Sequence, residues 1–284
     1  MSEITNILSL TGMAKEDCDF CEECFKKIKS DQELFNQLVI AEKQYMSAYD
    51  YNTAAEILTE KSQLSRFSVD LIIALYCCIR VLKLYEVHGY SKELFISTIA
   101  DSIRTNVDTC KEVYSVIGIF VLPYYKRHFQ CERFALGRLQ FEAIKVPFDY
   151  KDVCKKGDTV LSCHIPATGP LLIDDVEAAF KLAYDFYNIS GPLVVVCDSW
   201  LLYPPHYEEV FPKGSNISRF YELFDIVEQH ECDFTSAGWR VFGTMDFDFS
   251  KFPQTTTMQK NLSNFLKSGK KMGDGYGILV REYK

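Results

Sequence analysis

The chain has 284 residues, a hydrophobic fraction of 48% and a formal net charge of -8, with a sequence pI of about 5.3. A core of ordinary size is therefore expected, and the length favours two domains. The acidic balance and the lack of any long basic run argue against a nucleic-acid partner, because neutralising phosphates takes clustered Lys and Arg.

The N-terminal stretch and the cysteines indicate a reduced, cytoplasmic protein. The first residues, MSEITNILSLTG, lack the basic stretch and apolar run of a signal peptide. The longest apolar segment, near VDLIIALYCCIRVLKLY, is interrupted by Arg80 and Lys83 before it reaches the ~20 residues of a membrane span, so we expect no membrane partner. The 11 Cys residues are an odd number and are scattered, which is typical of free thiols.

Residues 1–128 are predicted to form a helical N-terminal domain. SDQE at Ser30–Glu33 and TAAE at Thr53–Glu56 resemble capping boxes, and each precedes apolar residues at helical spacing. The stretch FSVDLIIALYCCIRVLKLYEVHGY is apolar around most of its circumference, which indicates a central buried helix that ends at Gly89.

The stretch CDFCEECF places Cys18, Cys21 and Cys24 at spacings of three within this half. An iron–sulfur run of this kind needs a fourth Cys at the position of Ile28, and a structural zinc site needs a second Cys or His pair. Neither is present in the sequence. We therefore expect the thiols to pack as small apolar groups on one side of a helix, and we expect no metal.

Residues 129–284 are predicted to form an α+β domain. Strands are predicted at FALGRLQFEAIK, DTVLSCHIPA, PLVVVCDSW, GWRVFGTMDF and GYGILVREY, from alternation or from continuous apolar character. Helices are predicted at DDVEAAFKLAYDFYN, SNISRFYELFDIVEQ and TTTMQKNLSNFLKSGKK. The order β-β-α-β-α-β-α-β favours a mixed sheet flanked by helices.

Five stretches of this half, within residues 133–277, resemble a known family. They are RFALGRLQFE, VLSCHIPATGPL, CDSWLLYP, SNISRFYELFDI and FPQTTTMQKNLSNFLKSGKKMGDGYG, and they are similar to the GNAT-like C-terminal domain of bacterial N-acyltransferases, which follows a helical N-terminal domain. The resemblance implies acyl transfer from acyl-CoA, as co-substrate, to a small-molecule amine acceptor. The family motif Cys-His-Ser-Trp is replaced here by Cys197–Trp200, CDSW, so no role of that His is carried over.

A GNAT enzyme holds the CoA pyrophosphate with backbone N–H groups in a loop that opens a helix. The near match KKMGDG at Lys270–Gly275 leads into a predicted strand, so we interpret it as a turn. The loop HIPATGPLLIDD lies between a strand and a helix, and Ala167, Thr168 and Gly169 are its candidate donors to CoA. The acids Asp174–Asp175 would repel a phosphate there, so a structural turn is the alternative.

His164 is the candidate general base, because an amine must lose a proton before it attacks a thioester. Strand alternation places its side chain on the face opposite Cys163, so these two residues cannot form a dyad. A His bonded to a loop carbonyl is the alternative. Asp198 and Ser199 follow a predicted central strand and are expected to line the same cleft as catalytic candidates.

Three further alternatives stay open at this stage. Cys197 ends the same strand, and as a neighbour of His164 it would favour a thiol hydrolase or transferase. Arg138 and Glu142 share one strand face and are expected to form an ion pair. The missing pyrophosphate motif and Asp198 favour a second function class, a non-catalytic GNAT-shaped ligand-binding or interaction module.

The aromatic residues after the central strand also have two interpretations. Trp200, Tyr203 and Tyr207 would either form the wall of an acyl or aromatic acceptor pocket or pack against the sheet. We expect packing, since aromatic side chains at such positions mostly belong to the core.

Overall fold

A computed structural model of the protein describes residues 3–47 and 50–283. The chain divides into two compact units, Met1–Phe134 and Ala135–Lys284. The boundary predicted from the sequence, after residue 128, falls inside the short helix Lys126–Phe129. Within the described part of the chain, no helix combines the length and the apolar character that crossing a membrane requires.

The N-terminal unit is helical, as predicted. Its elements are α1 (Glu3–Thr11), α2 (Lys15–Ser30), α3 (Gln32–Met46), α4 (Asn52–Ser62), α5 (Arg66–Val87), α6 (Lys92–Phe95), a π-helical segment (Ile96–Ala100), α7 (Asp101–Tyr114), a 3₁₀ turn (Leu122–Tyr125) and α8 (Lys126–Phe129). Helix α5 is the predicted central helix, and most of its residues are buried. It ends one residue before His88, and Gly89 follows with a φ of 74°.

Neither predicted capping box forms. Helix α3 is capped by Asp31, whose carboxylate accepts hydrogen bonds from the backbone N–H groups of Glu33 and Leu34. Helix α4 begins after Tyr51 without a side-chain cap. An Asp is as good an N-cap as a Ser, and it lies one position closer to the apolar run, which explains the shift at α3.

The CDFCEECF stretch lies on α2. Cys21 and Cys24 are buried beside Phe25 and Ile28, whereas Cys18 is partly exposed. Burial raises the pKa of the Cys24 thiol to about 11 and also raises the pKa of Cys21, so both thiols are protonated at neutral pH. Among the residues described, no group of three or more His, Cys, Asp or Glu side chains is arranged to hold a metal ion.

A six-stranded mixed sheet dominates the second half of the chain. Its strands are β1 (Arg133–Leu136), β2 (Leu139–Lys145), β3 (Thr159–His164), β4 (Leu193–Ser199), β5 (Asp225–Cys232) and β6 (Met272–Arg281), in the order β1-β2-β3-β4-β6-β5. The pair β3–β4 is parallel, whereas β2–β3, β4–β6 and β6–β5 are antiparallel. The helices are α9 (Ile173–Phe186), α10 (Pro204–Glu209), α11 (Asn216–Tyr221), α12 (Phe234–Ala237), α13 (Trp239–Phe242) and α14 (Thr257–Lys267). This confirms the predicted α+β class.

Two of the predicted elements are wrong. The helix predicted over SNISRFYELFDIVEQ ends at Tyr221, and its last residues belong to β5. Strand β5 lies at the sheet edge and is mostly exposed, so its charged residues face water on both sides and mimic a polar helix in sequence. The strand predicted over GWRVFGTMDF contains helix α13, which lies between Gly238 and Gly243.

The two faces of the sheet are covered differently. On one face lie Cys163 and its register partner Phe141, whose ring contacts Phe180 of α9 with ring centroids 6.1 Å apart. On the other face, residues 146–154 cover an apolar cluster that includes Val196 and Ile278 of the central strands. The C-terminal ends of β3 and β4 carry the polar side chains of His164 and Asp198.

Candidate functional site

Strands β3 and β4 run parallel but pair at only two positions. Leu161 is in register with Val195 and Ser162 with Val196. Beyond this point β3 still pairs with β2, and β4 still pairs with β6, up to their C-terminal ends. The pairing of the two central strands therefore ends at Ser162 and Val196, and we interpret this as the point where they begin to separate. Open α/β sheets bind ligands at the C-terminal ends of such strands, so we place the candidate site here.

His164 lies at the end of β3, beyond the point of separation. Its Nε2 is 2.8 Å from Oε1 of Glu142, which projects from the neighbouring strand β2. The Glu142 side chain is only 7% exposed, whereas that of His164 is 26% exposed, so the buried carboxylate lies behind an accessible imidazole. Because a carboxylate only accepts hydrogen bonds, we assign the proton to Nε2, which leaves the basic lone pair of the neutral ring on Nδ1.

Asp198 lies on the same face as His164. Ser162 and Val196 are in register, so the residues two positions further along, His164 and Asp198, project to the same side. Partial burial raises the pKa of Asp198 above its ordinary value, and the Asp274 carboxylate adds to this rise. His230 and His164 oppose this rise in the pKa of Asp198. Asp198 is therefore electrostatically coupled to the ionisable groups around it.

The phenol of Tyr276 completes this face. Tyr276 is in register with Asp198 on one side and with Glu228 on the other. Its hydroxyl oxygen is buried and has no hydrogen-bond partner among the described residues, and its ring meets Phe148 edge-on at 5.5 Å. Burial, reinforced by the nearby Asp198, raises the pKa of Tyr276 to about 12. The phenol therefore keeps its proton at neutral pH.

The loop between β3 and α9 carries the three predicted N–H donors. Ala167, Thr168 and Gly169 are exposed, and Gly169 has a φ of 89°, which glycine adopts without strain. Within the described parts of the chain, their N–H groups donate to no protein acceptor. These groups are therefore available to a ligand or to water, in the loop that leads to the N-cap Leu172 of the 14-residue helix α9.

Arg138 holds the other side of this loop. Its guanidinium donates from Nη1 to the carbonyl oxygen of Pro166 at 3.0 Å, from Nη2 to that of Gly169 at 2.9 Å and from Nε to that of Pro170 at 2.8 Å. The predicted ion pair between Arg138 and Glu142 is wrong. Arg138 lies in the hairpin turn before β2, and Glu142 bonds to His164 instead.

Ser199, the third predicted catalytic residue, is not brought together with His164. It is adjacent to Asp198 in the strand, so its side chain projects to the opposite face. Its hydroxyl oxygen accepts a hydrogen bond from the N–H of Leu201 at 3.2 Å and caps the turn Trp200–Leu202. This contact is structural.

The aromatic residues after β4 pack, as expected. The Tyr203 ring is 7% exposed and lies against Gly273 of β6. Trp200 contacts the buried His206, with ring centroids 6.1 Å apart. Tyr207 stacks on Tyr221 with centroids 4.1 Å apart. Each of these rings packs against another part of the protein. Their positions are therefore explained by packing, without a role in the wall of an acceptor pocket.

The thiol alternative requires the Cys197 thiol to lie beside the His164 imidazole, and the structure does not place it there. Cys197 lies on the face opposite His164, beside the thiol of Cys163. The contact with Cys163 and full burial raise the pKa of Cys197 well above its ordinary value. A buried, protonated thiol that does not face the imidazole is no activated nucleophile, so this interpretation is wrong.

The near match to a pyrophosphate motif, KKMGDG, has a packing role. Its last residues begin β6, where Gly273, Gly275 and Gly277 alternate on one face. A Cβ on Gly275 would lie 1.9 Å from the carbonyl oxygen of Leu202, and a Cβ on Gly273 would lie 2.5 Å from the Tyr203 ring. The glycines therefore let the turn after β4 pack directly onto the strand.

The sheet order, the separating parallel pair and the loop before α9 define an acyltransferase-like fold, and solved structures share it. An acyltransferase mutant in complex with octanoyl-CoA superposes with a TM-score of 0.79 at 17% identity, covering 99% of this chain and 88% of that one. An acyltransferase in complex with decanoyl-CoA and teicoplanin gives a TM-score of 0.75 at 18% identity, covering 97% and 87%. At such identities the likeness concerns the fold alone.

The family follows from the sequence itself. The family model of the GNAT-like C-terminal domain matches residues 134–279, which is more than half of the chain. The protein therefore belongs to the GNAT-like C-terminal domain family. No curated protein matches the chain.

Proposed function

We propose that the protein transfers an acyl group from acyl-CoA to the amine of a small-molecule acceptor. The observation that carries this proposal is the separation of β3 from β4, with the His164–Glu142 pair directly beyond it. It is supported by the solved structures of the same fold, which hold octanoyl-CoA or decanoyl-CoA, and one of which also holds teicoplanin. A medium-length acyl chain is accordingly the first candidate.

The acyl donor fits the loop that follows β3. The exposed N–H groups of Ala167, Thr168 and Gly169 are suitable donors to the CoA pyrophosphate, because they lie in the loop that leads into helix α9 and have no protein acceptor among the residues described. The thioester supplies an activated acyl carbonyl. The cleft between the separating strands is then the expected path of the pantetheine arm, which would end near His164.

The polar face of the sheet provides the proton transfers. The acceptor amine attacks the thioester carbon, a C–N bond forms, the C–S bond breaks, and the products are an amide and CoA thiol. His164 takes the proton that the amine loses, while Glu142 fixes the ring and stabilises the imidazolium. Asp198 lies beside this base and attracts a cationic acceptor. Tyr276, protonated at neutral pH, is a proton donor for the leaving sulfur. Ser199 shapes the turn at the end of β4.

The test is direct transfer. Purified protein is incubated with acetyl-, octanoyl- and decanoyl-CoA and a panel of small amines, amino sugars included. Released CoA and acylated product are measured by chromatography and mass spectrometry. A thiol dye is unsuitable because the protein carries 11 free cysteines. We expect product with at least one donor–acceptor pair.

Calorimetric titration with each CoA thioester separates this proposal from the non-catalytic alternative. Binding without transfer to any amine would favour a ligand-binding module. Neither binding nor transfer with any thioester would contradict the proposed function.

A further inference from the structure

Arg138 is carried to the loop before α9 by the tight turn between β1 and β2. Gly137 precedes it with a φ of 68°, and a Cβ at that position would lie 3.2 Å from Leu182 and 3.5 Å from Ala179 of α9. A glycine therefore lets the hairpin turn approach the helix closely. This approach brings the guanidinium within reach of the loop that precedes the same helix.

The three hydrogen bonds of Arg138 fix the direction of the loop's peptide groups. The guanidinium is a rigid planar fork, and it binds the carbonyls of Pro166, Gly169 and Pro170 from one side. The Pro166 carbonyl shares its peptide group with the N–H of Ala167, which therefore points away from Arg138, and the bonds to Gly169 and Pro170 hold the other end of the loop. The N–H groups of Ala167, Thr168 and Gly169 donate to no acceptor within the described chain. One side chain thus organises both sides of the loop.

Arg138 also changes the charge at the start of α9. The first turn carries Asp174 and Asp175, which would repel an anionic ligand. The Arg138 guanidinium interacts electrostatically with Asp175 and stays charged at neutral pH. Its positive charge lies directly behind the loop and offsets the negative charge of the helix start.

We propose that Arg138 is a positioning residue for the acyl donor, holding the loop so that the N–H groups of Ala167, Thr168 and Gly169 meet the pyrophosphate of CoA. The proposal rests on the proposed acyltransferase function. Arg138 itself bonds to protein carbonyls and acts through the loop, so it is expected to govern donor binding and not the chemical step.

The test compares two donors with the same thioester and the same pantetheine arm. Octanoyl-CoA carries the pyrophosphate, whereas octanoyl-pantetheine lacks the pyrophosphate and the phosphoadenosine attached to it. We expect Arg138→Gln to raise the KM for octanoyl-CoA by about tenfold or more, since misplacing a positioning group can cost up to ~100-fold. The kcat with octanoyl-CoA and the kcat/KM with the truncated donor should stay near the wild-type values.

Two further variants sharpen the result. Arg138→Lys keeps the charge but replaces the planar fork of three nitrogens by one ammonium, which does not match three separate carbonyls in the same geometry. It should therefore behave like Arg138→Gln, and full rescue by Lys would overturn the positioning role. Arg281→Gln is the matched control, because Arg281 pairs with Glu177 of the same helix at 2.8 Å but contacts none of the loop. It should leave the preference for octanoyl-CoA unchanged.

The remaining outcomes are also decisive. An equal loss of kcat/KM with both donors would mean that Arg138 supports only the fold. No loss of kcat/KM with either donor would mean that the loop does not hold the pyrophosphate. Each of these results overturns the proposal. Calorimetric titration with CoA tests the positioning role of Arg138 independently of the proposed acyl transfer. If the wild type binds CoA without transferring acyl groups, a weaker CoA affinity of Arg138→Gln still supports the positioning role, and an unchanged affinity overturns it.

Discussion

The His164 imidazole is oriented by one buried carboxylate. Glu142 approaches Nε2 from the neighbouring strand at 2.8 Å, and the opposite edge of the ring carries the basic lone pair. When the ring is neutral, its Nε2–H bond to Glu142 leaves Nδ1 to accept a proton, which is what a general base needs. The role of His164 is therefore testable through a side chain that keeps polarity but loses basicity.

We expect His164→Gln to lower kcat/KM for acyl transfer by about 100-fold or more, which is the usual contribution of a general base. Calorimetric binding of CoA should be unchanged, because His164 ends β3 and is not one of the three residues, Ala167, Thr168 and Gly169, whose N–H groups would hold the donor. His88→Gln is the control, since His88 is an exposed residue at the end of α5. A variant within about twofold of the wild-type rate would exclude His164 as the base.

Cys197 provides the complementary prediction. Its buried thiol is protonated at neutral pH and faces away from His164, so we expect Cys197→Ala to keep the transfer rate within about twofold. Intact-mass measurement of wild-type protein during turnover should reveal no acyl adduct. A covalent acyl-enzyme that disappears in Cys197→Ala would restore the thiol mechanism.

Strand alternation predicted which way His164 points, and the register of β2 with β3 confirms it. The partner Glu142 was not identified, because alternation within one strand does not reveal which residue of another strand lies beside it. Arg138 was assigned to a strand because FALGRLQFEAIK was interpreted as one continuous strand, whereas Gly137 and Arg138 form the turn between β1 and β2. In LQFEAIK, Glu142 alternates with Gln140 on one face, which is typical of a solvent-facing side of a strand, so the sequence contained no signal that this carboxylate is buried.

At the scale of elements, strand β6 depends on its glycines. Gly275 faces the backbone carbonyl of Leu202, whereas Gly277 faces Cδ1 of Leu202 at 2.8 Å and Cβ of Phe224 at 2.9 Å, measured from a hypothetical Cβ. The carbonyl of Leu202, 1.9 Å from a Cβ on Gly275, belongs to the backbone of a packed turn and cannot move aside. At Gly277 the Leu202 side chain can change its conformation, and the Cβ of Phe224 at 2.9 Å has to shift far less. The two glycines should therefore tolerate an added methyl group differently.

We expect Gly275→Ala to lower the free energy of unfolding by at least about 3 kcal/mol, because the added methyl group would overlap a backbone carbonyl that cannot move aside. Gly277→Ala should have a clearly smaller effect. Tryptophan fluorescence during urea unfolding is the measurement, since both Trp residues, Trp200 and Trp239, lie in the unit that contains β6. Equal stability of Gly275→Ala and the wild type would contradict the close packing of turn and strand.

Periodicity predicted the long elements better than the short ones. Helices α5, α9 and α14 bury one face or most of their surface, and burial is what creates a periodic pattern. Strand β5 has almost no buried face, so no alternation marks it. Helix α13 is only four residues long, and its Phe242 stacks on Phe252 at 4.0 Å, a tertiary contact that local sequence does not contain.

At the scale of the whole molecule, stability should depend on pH through one buried carboxylate. Asp70 of α5 is 7% exposed, and burial raises its pKa to about 6, although Arg66 at 2.9 Å opposes the rise. Between about pH 4 and pH 6 the native state therefore binds more protons at this site than the unfolded chain does. The free energy of unfolding falls as the pH rises through this window and is level above it.

We expect this site to lower the free energy of unfolding by roughly 2–3 kcal/mol between pH 4 and pH 7, since a tenfold change in proton affinity is worth ~1.4 kcal/mol. Asp70→Asn should remove that slope. Circular dichroism at 222 nm is the suitable probe, because both Trp residues lie outside the N-terminal unit.

Asp101→Asn is the control for this prediction. Asp101 also pairs with an arginine, Arg104, within a helix, but its side chain is 41% exposed. The substitution should leave the slope as it is in the wild type. A wild-type stability that rises between pH 4 and pH 6, with the same rise in Asp70→Asn, would contradict the assignment to Asp70.

The position of β6 has a consequence for the order in which the sheet is made. Strand β6 lies between β4 and β5, yet it follows both in the chain. While the protein is being synthesised, β5 has no strand to pair with and β4 keeps one open edge until residues 272–281 have left the ribosome. The nascent chain therefore carries two unsatisfied strand edges at once, and we expect this interval to be when it most needs chaperones.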